Sequence, residues 1–131
     1  MPHIWVEYSS NLLPEINVDS MLETVQAAAI GDGDVFPLAG ARTRGIPINQ
    51  YRIVDGNPDN AFVYVLLRIA AGRDVSAKQA AGQRILEALQ DYLAPITANR
   101  PMGISVQLQE VADTLNFKTS NYRDYLANKS R

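Results

Sequence analysis

Twice along this chain an apolar, strand-like run is followed by an amphipathic helix and then by a second strand, and this doubling limits the possible folds more than any other feature. The first unit opens with Pro2 to Tyr8, a short apolar and aromatic run closed by Ser9-Ser10-Asn11. Ser20 and Glu23 stand at capping-box spacing, and Met21, Leu22, Val25, Ala28 and Ala29 recur at helical intervals until Gly31-Asp32-Gly33. This predicts a helix over Val18 to Ile30. Ala41 to Val54 then carries Ile46, Ile48, Tyr51 and Ile53 around Pro47, the pattern of an edge or bulged strand.

The second unit follows the turn formers Asp55 to Asn60. Ala61 to Ile69 is the strongest strand of the sequence, and it is expected to pair antiparallel with the strand before the turn. Ser76 and Gln79 repeat the capping-box spacing, and Ala77, Ala81, Ile85, Leu89 and Leu93 keep a four-residue rhythm to a helix end near Pro95. Ile104, Val106 and Leu108 alternate with Ser105, Gln107 and Gln109, a strand with one buried face, before a polar tail from Asp113.

The order β-α-β-β-α-β predicts an α+β fold in one domain over 1–131. It is a four-stranded mixed sheet of two tandem β-α-β units, because a helical crossover joins parallel strands, with both helices on one face. The other face is left bare. Trp5, Val63 and Tyr64, expected there, are too apolar for water, so association through the sheet is the simplest remedy.

The net charge of −2 supplies no diffuse basic surface for phosphate backbones, so nucleic acid is not an expected partner. With no cysteine and one histidine, thiolate chemistry and a zinc site are disfavoured. No apolar window is long enough to span a bilayer, and the N-terminus lacks a basic segment followed by a long apolar stretch, so a soluble cytoplasmic protein is expected.

Position rather than identity makes Pro2 a candidate base, since proline nitrogen is basic only at a free N-terminus. A small second residue permits removal of Met1. The freed α-amine titrates near 7.7 to 8.0, lower beside cations or in apolar surroundings, so a neutral base at working pH is available. Such a base can take a proton from an enol and return it elsewhere on the molecule without a cofactor. Acidic substrates would need cations, for which Arg42, Arg44 and Arg73 are candidates by position, with Arg42 and Arg73 at element ends where sites form. Arg52, Arg84 and Arg100 are expected to be solvated or in ordinary ion pairs. His3 should point to the face opposite its neighbour and serve packing or hydrogen bonding. Glu7, Trp5, Tyr8, Tyr51 and Tyr64 are given no catalytic role.

The opening MPHIWVEYS, FPLAGARTR at Phe36 to Arg44, DNAFVYVLLRIAAGR at Asp59 to Arg73 and TLNFK at Thr114 to Lys118 span most of the chain. With them the sequence resembles the 5-carboxymethyl-2-hydroxymuconate isomerase family of the tautomerase superfamily. The resemblance implies a homotrimer with a site near Pro2 built partly by a neighbouring subunit, and no cofactor. It implies proton transfer by Pro2 within a small, acidic, unsaturated substrate, a conjugated hydroxymuconate of homoprotocatechuate breakdown. Arg42 and Arg73 would grip carboxylates or polarise the 2-oxo group, with Arg44, Phe36, Leu38 and Lys118 as further substrate contacts. Two alternatives share these residues: a tautomerase for another unsaturated acid, and a noncatalytic trimer that binds small acids or a protein partner.

Overall fold

The computed structural model describes residues 2–129. Strand β1 is His3–Ser9, helix α1 Val18–Ile30, β2 Arg42–Ile48, β3 Ala61–Ala70, α2 Val75–Thr97 and β4 Met102–Val111. Short 3-10 turns lie at Ser10–Leu12, Leu38–Gly40 and Asp113–Leu115. A third helix, α3 at Tyr122–Lys129, stands in the tail that reads as merely polar in sequence.

The sheet order is β2-β1-β3-β4, with β1 parallel to β2, β1 antiparallel to β3 and β3 parallel to β4. The expected antiparallel pairing of the second and third strands therefore does not form. Each helix carries the chain to a parallel neighbour, and the two most apolar strands, β1 and β3, meet in the centre with Val6 opposite Val65. That leaves β2 at an edge, as Pro47 requires. It ends at Ile48 rather than Val54.

Neither expected capping box forms. Asn17 is the N-cap of α1, accepting from Ser20 N through Oδ1 at 2.9 Å, so Ser20 lies inside the first turn as a donor. The N-cap of α2 is Asp74, which makes no side-chain cap bond. That helix runs past Pro95 to Thr97, and because Asp91 and Pro95 are both exposed, the missing bond falls on the watered side.

Ile4, Val6, Tyr8, Val63, Val65, Leu67 and Ile69 fill one face of the sheet, against Met21, Val25 and Ala29 of α1 and Ala81, Ile85, Leu89 and Leu93 of α2. Val63 thus belongs to the covered face, not the open one. Odd positions of β1 and even positions of β3 point the other way, which puts Trp5 and Tyr64 on the open face as expected. Gly45 lets β2 approach α1: a Cβ there would lie 3.2 Å from Val18 Cγ1 and 3.3 Å from Leu22 Cδ2.

Arg84 departs from the solvated or ion-paired role expected of it. From α2 it donates to the Ala28 carbonyl at 2.9 Å and the Ala29 carbonyl at 3.3 Å, satisfying orphan acceptors at the end of α1. Arg100 does form an ordinary ion pair, with Glu15 at 2.8 Å.

Candidate active site

The site forms where β1 and β2 begin, beside the turn that precedes β2 and under the C-terminal segment. Pro2 is buried, and its carbonyl accepts a hydrogen bond from Arg42 N at 3.2 Å. Parallel register sets His3 beside Arg42 and Trp5 beside Arg44, so these side chains share the open face. Removal of Met1 concerns a residue outside those described.

Two cavities flank Pro2's neighbours. One, of about 330 Å³, is lined by His3, Arg42, Asn116, Phe117, Lys118 and Thr119. The other, of about 430 Å³, is lined by Arg73, Lys118 and Arg123 with Pro37, Ala39, Gly40 and Ser120. Lys118 borders both, so the cavities adjoin. Four cations, Arg42, Arg73, Lys118 and Arg123, face this space, and neither lining contains a carboxylate. Such walls suit an anion carrying more than one carboxylate.

The arginines are held by rings and carbonyls instead of by acids. Arg73 Nη1 donates to the Ala70 carbonyl at 3.0 Å and Nε to the Val35 carbonyl at 3.3 Å, while its guanidinium lies 4.7 Å from the Phe36 ring centroid. Arg42 lies 5.1 Å from the centroid of Tyr122 in α3. Arg44 and Arg68 lie 4.5 and 4.9 Å from that of Trp5. Among the described residues the salt bridges are Lys78–Glu110 and Arg100–Glu15, so none of these four guanidiniums has a carboxylate partner. Aromatic faces fix their position without cancelling their charge.

The sequence candidates separate accordingly. Arg42, Arg73 and Lys118 reach cavity walls, and Pro2 sits against two wall residues. Arg44 lines neither cavity; its Nη2 bonds His3 Nδ1 at 2.8 Å. Phe36 is fully buried and is a floor for Arg73 rather than a surface for a ligand. Leu38 is 53% exposed on the turn that supplies Pro37 and Ala39. His3 stacks on Trp5 and hydrogen-bonds Arg44, the packing role expected of it, and burial, then Arg44 and Arg42, hold its pKa below the ordinary imidazole value.

Sequence reasoning missed Arg123 and the aromatic seat that Tyr122 gives Arg42. Tyr122, Tyr125 and Leu126, spaced i, i+3 and i+4, were the available signal for α3. Among the described residues no group of three or more His, Asp or Glu is placed to hold a metal ion, and no helix is long and apolar enough to cross a membrane.

Known proteins resemble this chain in sequence and fold. The family model for 5-carboxymethyl-2-hydroxymuconate isomerase matches residues 2–126. A 5-carboxymethyl-2-hydroxymuconate Delta-isomerase of Escherichia coli is 34% identical over 121 residues, 92% of this chain and 95% of that one. The crystal structure of a 5-carboxymethyl-2-hydroxymuconate isomerase from Deinococcus radiodurans R1 superposes with a TM-score of 0.89 at 29% identity, over 95% of this chain and 93% of that one. A fused 4-OT solved as a symmetric trimer shares the fold at 19% identity and a TM-score of 0.63, over 91% of this chain and 92% of that one. The chain is an isomerase of the tautomerase superfamily and belongs to the 5-carboxymethyl-2-hydroxymuconate isomerase family.

Proposed function

We propose that this isomerase acts on 5-carboxymethyl-2-hydroxymuconate, with the secondary amine of Pro2 carrying the proton. The observation that supports this most is the pair of adjoining cavities, one lined by Pro2's neighbours His3 and Arg42, whose charged lining groups are all cationic. Removal of Met1 frees the amine, and the neighbouring cations favour its neutral form. The neutral amine takes the enol O–H proton, the electron pair moves along the conjugated chain, and the resulting ammonium returns the proton to a carbon farther along. No net proton, oxidant or cofactor is consumed.

In this reading Arg42 and Arg73 hold carboxylates and stabilise the oxygen that becomes a carbonyl, and Lys118 completes the anion wall. Arg44 acts through His3. The half-open aromatic face around Trp5 and Tyr64, with Leu115 and Phe117 exposed beyond β4, supports a homotrimer in which a neighbouring subunit closes the site.

Intact mass and an ultraviolet assay of dienol loss test the assignment together. The active protein should lack Met1, and Pro2→Ala should lower kcat about 100-fold, the scale of general-base catalysis, while sedimentation shows the same trimer. Full activity with Met1 retained, or an unchanged rate in Pro2→Ala, overturns it.

A further inference from the structure

We infer that His3 is a substrate-holding residue, a neutral imidazole whose Nε2–H donates to a carboxylate or 2-oxo oxygen gripped by Arg42. The inference rests on the isomerase reading above and adds to it a group that sets specificity.

The hydrogen bond to Arg44 decides the tautomer. A guanidinium only donates and keeps its charge, so Nδ1, 2.8 Å from Arg44 Nη2, must be the acceptor. In a neutral imidazole the proton then sits on Nε2. Among the described residues Nε2 has no hydrogen-bond partner, while His3 lines the cavity that Arg42 and Lys118 also line. The ring is also held still: it stacks on Trp5 with centroids 5.8 Å apart and planes 30° apart, and Arg44 and Arg68 both lie over that indole.

The groups facing His3 explain why it donates without charge. Burial comes first, then Arg44 and Arg42 from β2 and Arg68 from β3, and all disfavour an imidazolium, while Lys118 from the C-terminal segment lines the same cavity. A ring-stacked neutral donor beside an exposed, long-stemmed cation such as Lys118 adds direction where the cations add attraction. It therefore suits one particular oxygen of an unsaturated polycarboxylate.

His3 is the single histidine of the chain, so ring-nitrogen NMR of histidine-labelled protein reads it without assignment. At neutral pH the Nε2–H tautomer is expected, and muconate, an unsaturated dicarboxylate with no enol to isomerise, should shift the Nε2 signal. An Nδ1–H tautomer, an imidazolium, or an Nε2 signal that muconate leaves in place overturns the inference. In kinetics, His3→Phe keeps the stack but loses the donor, and should raise KM about tenfold with kcat changed less than about threefold. His3→Gln keeps an acceptor for Arg44 and a donor for substrate, and should restore most of that loss. Equal losses in both variants mean a merely structural role and refute it. The NMR outcome stands whether or not hydroxymuconate is the substrate, whereas a silent His3 in an active isomerase removes this inference alone.

Discussion

The two faces of this sheet are made from the same strands in alternation, yet different forces hold them. The centre of the covered face is closed within one chain: Ile4, Val6, Val65, Leu67 and their helical partners are all but inaccessible to water, and only toward β4 do Ile104, Val106 and Leu108 stay half-buried. The open face carries His3, Trp5, Arg42, Arg44 and Arg68, which pack by ring stacking and hydrogen bonding and remain partly exposed. Apolar burial needs no particular partner, so it gives stability. The cations on the open face and at the adjoining turn are seated on aromatic rings with their charge uncompensated, which leaves them available to an anion.

The largest expected effects fall on opposite sides of this division. Leu89→Ala removes a fully buried side chain from the covered face and should cost about 2–5 kcal/mol, read as a lower urea midpoint, with activity per folded molecule unchanged. Arg73→Ala should do the reverse, lowering kcat/KM about 100-fold, or ~2.7 kcal/mol. Its stability cost should stay at about 1–2 kcal/mol, from the lost bonds to the Val35 and Ala70 carbonyls and the lost contact with the Phe36 ring. A comparable loss of activity per folded molecule in Leu89→Ala would show that the two faces are not separable.

The covered face was legible in the sequence because burial writes a period. Val18–Ile30 and the rhythm through Ala81, Ile85, Leu89 and Leu93 stand where periodicity put them. Strand neighbours were less legible: adjacency in the chain suggested that β2 pairs with β3, while the crossovers through the helices and the apolar match of β1 with β3 set the order. The places of Arg42 and Arg73 on the cavity walls were legible from their positions at element ends and from the family likeness. Arg44 and Arg42 could not be told apart, since both point to one face and only the tertiary positions of Trp5 and Tyr122 separate them. Helix α3 buries no residue and so leaves little periodic trace. Arg84 was misjudged because its acceptors lie 55 and 56 residues away.

Between the extremes lies Arg84, a cation that serves the fold. Arg84→Met keeps much of the stem but removes the donors to Ala28 and Ala29 and the positive charge at the end of α1. The unfolding free energy should fall by about 1–2 kcal/mol with kcat/KM unchanged. A drop in kcat/KM would place this helix end in contact with the site and blur the division between structural and chemical arginines.

The smallest effect separates the open face from the loop at the far end of β3. His3, held below the ordinary imidazole value of 6.5 by burial, Arg44 and Arg42, takes up a proton less readily folded than unfolded. Stability should therefore fall as pH drops through about 6.5 and be recovered as it rises. Asp55 is held below the ordinary carboxylate value of 3.8, first by Asn57 N and then by the Asn60 side chain. Its contribution is full above that value and is lost as pH falls through its folded pKa. Unfolding midpoints against pH should show two acid limbs, the upper erased by His3→Phe and the lower by Asp55→Asn. A flat midpoint between about pH 7 and 5 in the parent chain would mean that the open-face cations do not oppose an imidazolium, and the distinction drawn between the two faces would lose its electrostatic basis.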